Sequence, residues 1–323
     1  MPCWEAGPRR APTVVFLHGA TADHRSWDPQ VEALRDRFRT VTVDLRGHGD
    51  SPELGLFDFH AAVDDVLDLL DGRDRPLALV GLSLGGAIAQ EVVYRAPQSV
   101  DALVVADATC VTAPRGLLDK PIAYTALTGM ALLPQEIFHR QAARALANDA
   151  EVSEDLQEWS PSAAVQVLTE LVSALHPDRD YRLPVPTLLL HGSDDRLGDI
   201  ARSTRDWAGR DPAAEYAVVP DAGHVSNLDN PEAFTAELRS FLERTLPAVP
   251  DGARTGGGHV APARGGRRWM RRVSTVLRRH GSDPEPAVTC DPAARSGGGR
   301  RARCPVSAGR GPSGTATDAE EPR

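Results

Sequence analysis

A serine hydroxyl attacks a carbonyl carbon only when a neighbouring base takes its proton and a third group holds that base in the right tautomer. Candidates for all three parts stand in this sequence at well separated positions. Gly81-Leu82-Ser83-Leu84-Gly85 follows the apolar run Leu77 to Val80 and precedes a helix-like stretch that opens on Gly86. Small residues around a serine, between a strand and a helix, suit a tight turn that presents its hydroxyl, so Ser83 is the candidate nucleophile. Asp221-Ala222-Gly223-His224 follows the run ending at Val219, which makes His224 the best placed base among ten histidines. His191, inside the run that ends Leu190-His191-Gly192, reads as structural. For the acid, Gly192-Ser193-Asp194-Asp195-Arg196 supplies two adjacent carboxylates after the run Thr187 to Leu190. Asp195 is preferred, with Asp194 and Asp107 as alternatives.

Attack on a carbonyl also needs donors for the oxyanion that forms. The backbone N–H after the nucleophile, that of Leu84, is one candidate. A second comes from the early loop Phe16-Leu17-His18-Gly19-Ala20, where Ala20 is placed to donate and Gly19 permits close backbone approach. His18 reads as a brace for that loop rather than as a second base.

Such residues have to be held by a rigid scaffold. Short apolar runs at Thr13 to Leu17, Val41 to Val43, Leu77 to Val80, Ala102 to Val105, Thr187 to Leu190 and Tyr216 to Val219 alternate with helix-like segments. Runs that are continuous rather than alternating predict strands buried on both faces, hence a mostly parallel sheet flanked by helices, the α/β class. Helical spacing covers Asp28 to Phe38, Phe57 to Leu70 and Gly86 to Ala96, and Pro97 stops the third. Asn230-Pro231-Glu232 sets a capping residue and a first-turn proline ahead of a helix over Ala233 to Leu246. From about Thr112 to Asp180 the alternation fails. This interval is helix-like, punctuated by Gly129, Pro134 and Pro161, and is expected to form a helical lid over the carboxyl ends of the strands, where open α/β sheets bind ligands.

Residues 1–247 are therefore expected to form one domain. From 248 to 323 the composition turns to Gly, Pro, Arg, Ser and Ala and cannot build a core, so a disordered tail is expected. That tail carries fourteen Arg against seven Asp plus Glu; the chain's net −9, less this +7, leaves −16 on the preceding residues. An acidic body argues against nucleic acid as a partner. Within the tail, Arg267 to His280 places Trp269, Val273, Val276 and Leu277 on one helical face among six arginines, a pattern that can meet an anionic membrane surface. With 41% hydrophobic and 25% charged residues overall, the bulk reads as globular. The N-terminal residues contain no signal-like apolar run, and no stretch of about 18 apolar residues occurs. The four cysteines, at positions 3, 110, 290 and 304, form neither a disulfide framework nor a C-x-x-C pair, and a reducing, cytoplasmic location is expected.

Taken in order, Leu17-His18-Gly19-Ala20, Asp44-Leu45-Arg46-Gly47-His48-Gly49-Asp50-Ser51, Gly81-Leu82-Ser83-Leu84-Gly85-Gly86, Gly192-Ser193-Asp194-Asp195 and Gly223-His224 resemble the motifs of the α/β-hydrolase superfamily, from about Thr13 to Leu246. The order Ser83, Asp195, His224 is the order of that superfamily's triads. The resemblance implies that the acid is the third residue after Gly192, which is Asp195, and that the Asp44 to Ser51 loop lies beside the active site. It implies hydrolysis of a carboxylic ester, thioester or lactone through an acyl-enzyme, with no cofactor and no metal. The scaffold is also similar to cofactor-free haloperoxidases and perhydrolases, with Trp27 after the His-Gly loop, and to binding proteins that keep the pocket without the chemistry. Two departures stand out. Where relatives commonly have a hairpin of about 20 residues, only Met1 to Pro12 precede the first strand, which leaves the first edge strand in doubt. Asp199 stands where a proline often follows the acid.

Overall fold

The computed structural model describes residues 1–51, 56–114, 116–117, 119–146 and 159–247. The expected tail over 248–323, with the Arg267 to His280 island, lies outside the described residues.

Seven strands form one sheet: β1 (Cys3–Ala6), β2 (Thr13–Leu17), β3 (Arg39–Val43), β4 (Leu77–Leu82), β5 (Ala102–Ala106), β6 (Thr187–Gly192) and β7 (Ala214–Val219), in the spatial order β1-β3-β2-β4-β5-β6-β7. Every pairing is parallel except that of β1 with β3. The chain is thus α/β, with a mostly parallel sheet between helices. β1 settles the question left by the short N-terminus. Cys3-Trp4-Glu5-Ala6 has no apolar run, yet it pairs antiparallel from Cys3 against Val43 to Ala6 against Thr40. Pairing along β3 provides what its own pattern lacks, and Trp4 stacks on His24 with ring centroids 3.4 Å apart.

The continuous apolar runs divide between the two faces because successive side chains of a strand point oppositely. Val15, Leu17, Val41, Leu79 and Val105 pack with helices α2 (Phe59–Leu70) and α3 (Leu84–Arg95). Val14, Phe16, Val80 and Leu190 pack with α1 (Asp28–Leu34) and with Phe234, Leu238, Phe241 and Leu242 of the last long helix, Pro231–Thr245. Those four side chains are fully buried, and each contributes roughly 1.5–3 kcal/mol by leaving water. The last helix starts where expected, with Asn230 accepting a hydrogen bond from the Ala233 N–H (3.1 Å) and Pro231 in its first turn.

The interval expected to be helical contains α4 (Asp119–Ala131), α5 (Gln135–Leu146) and α6 (Pro161–Ala174), and α6 is capped by Ser160. Gly129 lies within α4 and interrupts nothing. At the base of this insertion its two ends are tied together: the His176 N–H donates to the Val111 carbonyl and the Asp178 N–H to the Thr112 carbonyl, both at 3.0 Å. Helix α7 (Ile200–Arg210) follows β6. Among the described residues, no helix is long and apolar enough to cross a membrane.

Candidate active site

Parallel strands bring the loops at their carboxyl ends to one edge of the sheet, and each candidate residue stands on such a loop. Ser83 follows β4, Asp107 follows β5, Asp195 follows β6, His224 follows β7, and His18-Gly19-Ala20 follows β2. Backbone pairing continues past the strand ends and stiffens this edge: the Ser83 N–H donates to Ala106 (2.9 Å), that of Asp107 to Leu190 (2.9 Å), and that of Ser193 to Val219 (2.8 Å).

The turn at Ser83 is sharp. Its backbone is left-handed, φ 51°, a region costly for a side chain with a Cβ, and α3 begins with the next residue. Such a turn forces strand and helix together, which explains the glycines. A Cβ on Gly81 would run into the backbone of Gly85 and Gly86, and one on Gly85 into the carbonyls of Leu17 and His18. Gly85→Ala is therefore expected to destabilise the fold by about 1–3 kcal/mol. Gly129→Ala in α4, where a Cβ meets nothing within 4 Å, is expected to add about 0.5–1 kcal/mol. Thermal melting of the two variants checks this opposition.

The structure brings Ser83, His224 and Asp195 into one hydrogen-bonded line. His224 Nε2 lies 2.9 Å from Ser83 Oγ, and Nδ1 lies 3.0 Å from Asp195 Oδ2. With a proton on Nδ1, that nitrogen donates to Asp195 and leaves Nε2 to accept from the Ser83 hydroxyl. The histidine ring is 2% exposed and the Asp195 carboxylate fully buried. Asp195 also accepts from the Leu197 N–H through Oδ1 (2.9 Å), which fixes its rotamer. Asp194, its alternative, is exposed, and its backbone N–H donates to Ala222 (2.8 Å).

Asp107 is the third candidate acid. It contacts neither ring nitrogen of His224 but accepts from the Gly192 N–H (2.9 Å), the Ser226 N–H (3.3 Å) and the Ser226 hydroxyl (2.5 Å). Burial pushes its carboxyl up to about 7, against the opposing pull of His224 and of the Ser226 hydroxyl.

Leu84 opens α3, so its N–H belongs to the first helical turn, which lacks intrahelical acceptors. Ala20 lines the same cavity as Ser83 and His224. Gly19 lies against the turn: a Cβ there would sit 3.0 Å from Leu82 Cδ2 and 3.6 Å from Ser83 Cβ. His18 is fully buried, accepts from the Leu45 N–H through Nε2 (3.0 Å) and donates through Nδ1 to the Gly19 carbonyl (2.7 Å). Burial holds its pKa down to about 3, so it stays neutral as a brace. His191 is likewise engaged, with the Tyr216 hydroxyl (2.7 Å) and the Gly192 carbonyl (2.8 Å).

A second brace has no local spacing to reveal it. The buried Asp44 carboxylate accepts from the N–H (2.8 Å) and Nδ1 (2.8 Å) of His24 and from the Asp50 N–H (2.6 Å), joining the loop after β2 to the loop after β3. Asp23, His24 and Asp44 are the one group among the described residues with three metal-ligand atoms within 4.8 Å of one another. Its donors are committed elsewhere: Asp44 to these N–H groups and Asp23 to Arg25.

Ser83 and His224 open onto a cavity of about 1130 Å³, roofed by α4, α5 and α6 through Leu127, Met130, Phe138, Leu168 and Leu171 and by Leu133 between α4 and α5. Its walls are mostly apolar.

Comparison with known proteins agrees with this architecture. A 3-oxoadipate enol-lactonase of Acinetobacter baylyi is 28% identical over 244 residues, spanning 73% of this chain and 91% of the relative. A pimeloyl-[acyl-carrier protein] methyl ester esterase of Nitrosomonas europaea is 30% identical over 240 residues, spanning 70% and 93%. Among solved structures, a thermophilic esterase from Thermogutta terrifontis superimposes with a TM-score of 0.63 at 26% identity, over 76% of this chain and 93% of the esterase. The signature of the Alpha/beta hydrolase family matches from residue 14 to residue 238, which takes in both the turn at Ser83 and the loop of His224, and the chain belongs to that family.

Proposed function

We propose that this protein is a serine hydrolase that cleaves a carboxylic ester, thioester or lactone through an acyl-enzyme on Ser83. The line from Ser83 Oγ through His224 to Asp195, at the mouth of an apolar cavity, carries the reading. Ser83 Oγ attacks the carbonyl carbon while its proton passes to His224 Nε2, and the resulting imidazolium is stabilised by Asp195. The carbonyl oxygen becomes an oxyanion held by the N–H groups of Ala20 and Leu84. Collapse of this intermediate expels the alkoxide or thiolate, which takes the proton from His224. Water then attacks the acyl-enzyme, giving its proton to His224, and Ser83 leaves as the hydroxyl with a carboxylic acid as product. Each step uses groups of the chain and water.

The lactonase and the methyl ester esterase among the relatives support an ester-like substrate. At about 1130 Å³ the cavity stands at the upper end of ordinary ligand sites, which supports an acyl group of several carbons rather than acetyl alone. The test combines a fluorophosphonate probe, with the labelled peptide read by mass spectrometry, and a series of p-nitrophenyl esters of rising chain length beside lactones and thioesters. Labelling at Ser83 with turnover supports the reading; turnover without such labelling sinks it. Leu171 faces the cavity, so Leu171→Trp is expected to shift the preference toward shorter acyl chains by about tenfold in kcat/KM, because a few lost methylene contacts carry roughly 1–3 kcal/mol. The ratio of octanoate to acetate turnover measures it.

A further inference from the structure

We propose that Asp107 is a positioning residue, a buried clamp that ties the loop carrying Asp195 to the loop carrying His224 and keeps the two in register for proton transfer. The proposal rests on the reading of Ser83, His224 and Asp195 as the reacting line.

Three observations carry it. The first is the division of its hydrogen bonds. Oδ1 takes the N–H of Gly192, where the acid loop begins, and Oδ2 takes both the N–H and the hydroxyl of Ser226, two residues beyond His224. One carboxylate therefore bridges two loops that lie 85 and 119 residues from it along the chain. The second is the backbone. Asp107 is left-handed, φ 49°, and fully buried. Few residues with a side chain hold that conformation, and its cost is met here by a structure that aims the carboxylate between the loops. The third is the side on which it acts. The Asp194 N–H to Ala222 joins the two loops before His224, and Gly223 N–H to the Asp229 carboxylate steadies the histidine loop there, while Asp107 joins them after His224, so the imidazole is held on both sides.

Chemistry explains why the residue is a carboxylate. All three partners donate, so both oxygens must accept. An asparagine of the same size turns an NH₂ toward either the Gly192 N–H or the Ser226 N–H, so in either orientation one backbone donor loses its acceptor.

The experiment uses the full-length chain, with Asp107→Asn and Ser226→Ala beside wild type, p-nitrophenyl butyrate as substrate and fluorophosphonate titration to count active sites. For Asp107→Asn the expected result, per titrated site, is a kcat lower by about 10- to 100-fold with KM nearly unchanged. Ser226→Ala keeps the carboxylate and loses one donor, so the same fall in kcat per site should recur at smaller size, and this variant decides the matter if Asp107→Asn does not fold. A merely structural role would lower the melting temperature or the number of titrated sites while leaving kcat per site in place, and that outcome overturns the clamp. Wild-type turnover without fluorophosphonate labelling would overturn the Ser83 reading and the clamp together.

Discussion

Replacing Ser83 by alanine is expected to lower kcat by about 10⁶ and to abolish fluorophosphonate labelling, a loss on the scale seen when a triad loses its nucleophile. The magnitude follows from the geometry. His224 Nε2 has its hydrogen-bond partner in Ser83 Oγ, and without that oxygen no covalent intermediate can form on the protein. Stability should hardly change. Alanine at φ 51° meets the same backbone restriction as serine, and no packing volume beyond one hydroxyl is lost. Steady-state turnover, probe labelling and a melting curve on the same preparation check all three statements, and labelling that survives would move the nucleophile elsewhere.

Asp195→Asn is expected to lower kcat by about 10⁴. The carboxylate can only accept at Nδ1, which keeps the proton on that nitrogen and leaves Nε2 free to take one from Ser83. An amide NH₂ in the same place favours the other tautomer and turns a proton toward Ser83, where a base is needed. Asp194→Asn should leave the rate close to wild type, since that side chain is exposed and outside the line. The two variants share size and differ in place, so their comparison reads the position of the acid; a reversed ranking would assign it to Asp194.

Much of the fold was legible in the sequence because a parallel sheet buries both faces of its strands. All six apolar runs are strands, extended by up to two residues at either end. Helix ends were less legible because capping decides them. The segment expected from Phe57 begins as a helix at Phe59, since Asp58 accepts from the Ala61 N–H and is its N-cap. The one expected to reach Phe38 ends at Leu34, where the Arg37 and Phe38 N–H groups both turn back to the Leu34 carbonyl. The third starts at Leu84 rather than Gly86, directly on the strained turn. β1 escaped the pattern altogether: its four residues are a strand only because β3 offers an edge. At the candidate site, the residues on motif loops were legible from their spacing. The joins between Asp44 and His24, and between Asp107 and Ser226, were not, because they are 20 and 119 residues apart and each partner alone is an ordinary polar residue.

The two rungs at the base of the helical insertion, Val111 with His176 and Thr112 with Asp178, set how this protein can evolve. A chain that leaves the scaffold and returns to it at neighbouring points makes everything between them a cartridge. The entropy of closing such a loop grows only with the logarithm of its length, about 0.6 kcal/mol for each doubling. Insertions of quite different size can therefore be exchanged between those rungs with little penalty to the strands beneath. The roof of the cavity can thus be remodelled while Ser83, His224 and Asp195 keep their places at the sheet edge beneath it.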